Sequence, residues 1–133
     1  MNSKKLFVIA CYYDGSNTSI FECIDSIQKY YKSPQIAVID SNSPDKSYFK
    51  KLEEKGVIVY NAKNKNYDTG AYWYAYNKFK KVNFFYFLQD SVIFKKNLSN
   101  YEKKDLTTFR YFLSLNRVGG RKLEKTRKNI QNR

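Results

Sequence analysis

Four short apolar runs alternate with longer mixed stretches, and this alternation is the tightest constraint on what the chain can fold into. The runs are residues 6–12 (LFVIACY), 36–39 (IAVI), 57–60 (VIVY) and 84–88 (FFYFL). The first carries no charged or amide side chain, the pattern of a strand covered on both faces in a parallel sheet. Between the first two runs, Ile20, Ile24, Ile27 and Tyr31 recur at three- and four-residue steps, one side of an amphipathic helix. Ser19 and Glu22 have capping-box spacing at its start, and Ser33-Pro34 stops it. Ser43 is positioned to cap a second helix with Pro44 as its first residue, Tyr48, Phe49 and Leu52 as its apolar side, and Gly56 at its end. A polar loop from Asn61 to Asp68 leads to a third helix starting near Thr69, with Tyr72, Ala75, Tyr76 and Phe79 on one face. The order β-α-β-α-β-α-β predicts an α/β fold. Its sheet should be mostly parallel and flanked by helices, a three-layer Rossmann-like arrangement with right-handed crossovers.

Composition narrows the class. At 133 residues the chain has room for one domain with a real core, and 18% aromatic residues argue against wholesale disorder. Two cysteines, Cys11 and Cys23, do not make a disulfide scaffold. The absence of histidine removes His-based zinc sites and His-dependent acid–base chemistry. Every apolar run is far too short to span a bilayer. Lys4 and Lys5 precede the first run as in a signal peptide, but the run meets Asp14 without a small-residue cleavage site, so a buried first strand is expected. The expected location is cytoplasmic, with a peripheral membrane contact as its variant.

The formal charge of +13 is uneven. Residues 1–66 carry 10 basic and 7 acidic side chains, whereas residues 67–133 carry 15 and 5. The chain therefore reads as an α/β domain over residues 1–95 and a short basic extension over 96–133, partly helical or disordered. Within the latter, residues 109–113 suit an edge strand or part of a helix, and the stretch from Arg121 suits at best a solvated helix. Residues 92–94 suit a short strand. The basic tail reads either as a solvated terminus or as an attractor of nucleic acid, anionic lipid or a phosphorylated ligand.

Candidate site residues lie where loops leave the strand ends, the ligand-binding edge of open α/β sheets. Asp40 can accept hydrogen bonds from a base or ribose, or act as an Asx-turn residue before Pro44. Asp90 can ligate a hard divalent cation that bridges phosphates, or cap a strand end. Asp68 and Gly70 sit at a loop–helix junction whose backbone N–H groups can face an anion, the alternatives being a helix cap and an ordinary helix-start glycine. Asp14 is most simply a turn aspartate. Trp73 and its tyrosine neighbours read as core and surface aromatics of the third helix, with sugar stacking by Trp73 as the alternative. Neither GxGxxG nor GxxxxGK[ST] is present.

Three blocks resemble the nucleotide-binding half of GT-A glycosyltransferases of the broad family-2 type. The first is Val8-Ile9-Ala10-Cys11-Tyr12-Tyr13 followed by Ile24-Asp25-Ser26-Ile27. The second is Ile36-Ala37-Val38-Ile39-Asp40-Ser41-Asn42-Ser43-Pro44-Asp45, similar to V-V-D-[DN]-x-S-x-D. The third is Tyr86-Phe87-Leu88-Gln89-Asp90-Ser91-Val92-Ile93, at the place of the D-x-D strand end. Asn66 to Gly70 resembles the asparagine–glycine loop before the third helix. The resemblance covers roughly residues 6–95. It implies a nucleotide-sugar donor contacted by Tyr12, Asp14, Asp40, Asp68 and Gly70, with Asp90 beside the diphosphate and its Mn2+ or Mg2+. It implies sugar transfer to a hydroxyl of a glycan or protein acceptor, by this chain alone, as a homo-oligomer or with a partner subunit. Two departures stand out. Gln89 and Ser91 occupy the outer D-x-D positions, and only 38 residues follow Lys95, where such enzymes carry an acceptor-binding half. A truncated or catalytically inactive relative is therefore an alternative, and a basic nucleic-acid-binding or scaffold α/β domain is a second.

Overall fold

The computed structural model describes residues 4–102. They fall into two units with the boundary after Lys95. The first contains β1 (Lys5–Cys11), α1 (Ser19–Tyr30), β2 (Ile36–Asp40), α2 (Tyr48–Glu54), β3 (Ile58–Tyr60), α3 (Tyr67–Lys78) and β4 (Phe84–Gln89). The described part of the second contains a 3-10 turn, Ser99–Tyr101. The expectations for residues 109–113 and for the stretch from Arg121 lie outside the described residues.

The four strands are all parallel, in the order β3-β2-β1-β4. β1 is central: Val8 stands opposite Ala37 of β2 and Phe87 of β4. That position explains its unbroken apolar sequence, since both faces and both edges are covered. Leu6, Val8 and Ala10 point to one face, where they meet Ala37, Ile39, and Ala71 and Ala75 of α3. The two alanines let α3 sit close to the sheet. On the opposite face, Phe7 stacks on Tyr86 at 4.5 Å and meets Tyr31 and Phe94 edge-on at 4.8 and 5.8 Å. Here α1 buries Ile20, Cys23, Ile24 and Ile27, and α2 buries Tyr48 and Leu52. The result is the expected three-layer α/β fold, with a parallel sheet flanked by helices.

Several local expectations are corrected. Thr18 occupies the cap position of α1 without a side-chain cap bond, and Ser19 is already helical, so the Ser19–Glu22 capping box does not form. α2 begins at Tyr48 rather than Pro44. The Ser43 hydroxyl, needed for a cap there, instead accepts the Tyr13 N–H at 2.8 Å from across the sheet edge. α3 begins at Tyr67, two residues before Thr69, and Tyr76 is 56% exposed rather than facing the core. Residues 92–94 form no strand. The Val92 N–H turns back to the Gln89 carbonyl, and the Phe94 N–H reaches the Ser26 hydroxyl of α1 at 2.9 Å. Gly56 does end α2, with φ 78°, a conformation glycine takes at little cost.

The aromatic cluster around Phe7 is the centre of one core layer. Phe7→Ala is expected to lower unfolding free energy by about 3–5 kcal/mol, with Phe7→Leu losing less, measured by urea denaturation.

Candidate functional site

The loops leaving the strand C-termini share one edge of a parallel sheet. Here they are residues 12–18, 41–47 and 61–66, together with residues 90–95. β2 and β3 build outward from β1 in one direction, while β4 lies on its other side. The change of direction between β1 and β4 is a topological switch point, and in this architecture ligands usually bind in the crevice beside such a point. Asp90 stands at that point: the Tyr12 N–H, from the end of β1, is directed at Asp90 Oδ2 at 3.4 Å.

Asp40 closes β2 on the neighbouring position. Its residue is completely buried. The Tyr48 hydroxyl donates to Oδ1 at 2.6 Å, and the Ser43 N–H and Lys46 Nζ donate to Oδ2 at 3.2 and 2.9 Å. Burial alone would raise the Asp40 pKa. The donations from Ser43, Tyr48 and Lys46 outweigh it and hold the carboxyl below its ordinary value. The same interaction and burial push the Tyr48 hydroxyl up, burial being the larger cause.

The loops are laced to one another. The Ser41 N–H donates to the Cys11 carbonyl at 2.8 Å, continuing the β1–β2 pairing by one step. The Asp45 N–H returns to the Tyr13 carbonyl at 3.3 Å. The Asn64 amide donates to Ser41 Oγ at 3.2 Å and to the Tyr67 carbonyl at 2.7 Å, and its oxygen accepts the Asn66 N–H at 2.9 Å. One side chain thus joins the loop after β3 to the loop after β2 and to the start of α3.

Each residue singled out by sequence can now be placed. Asp40 and Asp90 stand at the ends of the two strands that flank β1: Cys11 stands opposite Asp40, and Asp90 follows the Gln89 that stands opposite Ala10. Burial first, then the Asp90 and Asp40 charges, raise that thiol's pKa far above its usual value. Cys23 is pushed up to about 12 by burial and by Asp90. Both cysteines are free thiols buried in the core. Tyr12 is exposed just past the end of β1, beside the switch point. Asp68 lies in the first turn of α3, half-buried, on the same sheet edge. Gly70 follows in that helix with its N–H donated to the Asn66 carbonyl, and a side chain there would overlap the Asn64 amide oxygen. Asp14 is exposed and binds the Ser16 hydroxyl and N–H at 2.6 and 2.8 Å. The hydroxyl bond is the first cause of its lowered pKa, and the pattern is that of a turn aspartate.

Sequence reasoning did not find Tyr48, Lys46 or Asn64 as parts of this edge. Nothing in their local pattern reveals it, because each acts across the fold. Nor did it find the Gln89 amide oxygen, which is buried without a hydrogen-bond partner among the described residues. Such an acceptor is complete only when a water or ligand donates to it. As for metals, among the described residues no group of three or more His, Cys, Asp or Glu is placed to hold an ion. At the end of β4 the side-chain oxygens of Gln89 and Asp90 stand side by side in the chain, a pair that suits a hard cation only when phosphate and water supply the remaining ligands. No protein-family model matches the chain, and comparison with curated proteins gives no significant match.

Two predictions follow from this geometry. With a folded pKa below the unfolded value of about 3.9, Asp40 stabilises the fold fully above that value, and the contribution disappears as pH falls through the folded pKa. Urea midpoints of the wild type should therefore drop steeply under acid, while Asp40→Asn should be less stable at neutral pH by about 2 kcal/mol and flatter toward acid. Gly70→Ala should cost about 1–3 kcal/mol through overpacking, seen as a lower thermal midpoint, because the new methyl group meets the Asn64 amide that ties two loops together.

Proposed function

We propose that this chain binds a nucleoside-diphosphate sugar in the crevice between β1 and β4, as the donor-binding domain of a glycosyltransferase-like protein. The observation that carries the reading is the position of Asp90. It sits at the switch point of an all-parallel sheet, against the backbone N–H of Tyr12. The Gln89 oxygen beside it, buried and without a partner among the described residues, adds an acceptor suited to a ligand hydroxyl. Residue patterns over roughly residues 6–95 that resemble family-2 GT-A enzymes point the same way.

In this reading the exposed loop at Tyr12 and Asp14 borders the nucleoside, and the α3 start at Asp68 and Gly70 borders the opposite side. Asp40 acts through the loop it holds, since its own oxygens are occupied by Tyr48, Ser43 and Lys46. Asp90 is the residue that would hold Mn2+ or Mg2+, and such an ion supplies charge neutralisation for the leaving diphosphate. Transfer breaks the bond between the sugar and the diphosphate and forms one to an acceptor hydroxyl of a glycan or protein, whose proton is released. The acceptor-binding part belongs to another subunit or to chain outside the described residues.

The experiment is thermal denaturation with UDP- or GDP-sugars, with and without Mn2+ or Mg2+. A matching ligand at about a hundred times its Kd should raise the midpoint by roughly 10 °C. The rise should need the metal and vanish in Asp90→Asn, whose unliganded midpoint should stay near that of the wild type. No protection by any nucleotide-sugar, together with salt-sensitive binding to DNA or RNA, would replace this reading with the nucleic-acid one.

A further inference from the structure

The outward side of α3 carries a feature that the crevice does not use. Trp73 is 68% exposed and Tyr76 56% exposed. Their rings lie nearly parallel, with centroids 6.3 Å apart. Exposing two large aromatic rings side by side forgoes burial that each would otherwise gain, and such patches on a soluble surface mark contact sites. The rings are three residues apart on a helix whose opposite side, Ala71 and Ala75, packs on the sheet. Trp73 therefore projects away from the sheet, and Tyr76 stands beside it with one edge toward Phe85 and more than half of its surface open.

The charge around this helix tells what kind of surface it fits. From residue 61 to 83 there are five lysines and a single acid, Asp68. Lys63 and Lys65 lie in the loop that enters α3, and Lys80 and Lys81 lie in the segment that leaves it; all four are exposed. Lys78 alone is turned aside, its ammonium resting 5.3 Å from the Tyr60 ring. An aromatic centre with cations at both ends of a helix about 18 Å long has the layout of an interfacial contact. Indole and phenol rings settle at headgroup level, and lysines pair with anionic lipid while their stems lie along the boundary. The surface is a convex helix side, unlike the grooves that track single-stranded nucleic acid.

We propose that the outer face of α3, centred on Trp73 and Tyr76, docks the protein on an anionic lipid bilayer. Trp73 is the only tryptophan in the chain, so its emission reports on this face directly. The full chain is mixed with vesicles of phosphatidylcholine, with or without phosphatidylserine. Vesicles containing phosphatidylserine should shift Trp73 emission to the blue and bind the protein in flotation, and brominated lipids should quench the emission. Phosphatidylcholine alone should do neither. Trp73→Ala should weaken flotation, and Lys80→Glu with Lys81→Glu should weaken it roughly tenfold. These positions are exposed, and far-UV circular dichroism verifies that the variants fold; the wild-type emission decides the matter without them. Flotation with unchanged Trp73 emission would overturn the proposal, since another basic segment would then make the contact. So would absence of binding, or an emission change caused by a single-stranded oligonucleotide and not by vesicles.

Discussion

The carboxylate of Asp40 lies at the C-terminal end of β2 with no exposure to water, and a lone charge in that position would be very costly. It persists because three donors from the following segment converge on it: a hydroxyl from α2, a backbone N–H from the intervening loop and a lysine ammonium from the surface. Meeting that demand fixes the path of residues 41–48. It brings Ser43 to where its hydroxyl can take the Tyr13 N–H, and it seats Tyr48 under the sheet edge against Tyr13 at 5.0 Å. Ser41, held beside Cys11, then accepts the Asn64 amide N–H on its hydroxyl oxygen. The order of three loops thus traces to one ion that has to be satisfied internally.

This dependence also shows which parts of the molecule could be read from the sequence. Strands β1 and β2 were legible because burial on both faces leaves little room for polar residues, β4 because its run of aromatic and aliphatic residues is unbroken, and the helical intervals fix the parallel sense. The placement of Asp40, Asp68 and Asp90 along one edge follows from the same alternation. Helix starts were less legible. Ser43 has the chemistry of a cap, but its oxygen is used 30 residues away, on Tyr13. Ser19 and Glu22 have the right spacing, yet Thr18 ends up in the cap position. Local propensity and distant partners compete for the same hydroxyl, and only the fold decides.

The third helix shows the same limit in another form. Tyr72, Tyr76 and Phe79 share a side of the helical wheel with Ala75, so an apolar stripe was expected to face the core. The structure instead uses Ala71 and Ala75 as the contact line, with the larger rings shifted to its margins. Tyr72 meets Phe87 at 4.9 Å and Tyr76 meets Phe85 at 6.0 Å, lining the border between helix and sheet. Ring size sets this outcome: a helix seated on alanines lies too close to the strands for bulky residues to fit beneath it.

The central position of β1 carries a consequence for assembly. Its pairing with β2 joins segments about thirty residues apart, whereas its pairing with β4 begins with Lys5 opposite Phe84, nearly the full length of the domain. Chain-closure entropy grows with that separation. The β1–β2–β3 side can accordingly form from local units, with its laced loops in place, before β4 arrives. β4 carries Gln89 and Asp90 at its end, so one side of the switch point is built by the strand whose partner is most distant in sequence. During synthesis, a chain that has emerged only as far as β3 already has the buried Asp40 anchor but has no switch point. The last strand to dock completes the sheet and creates its switch point.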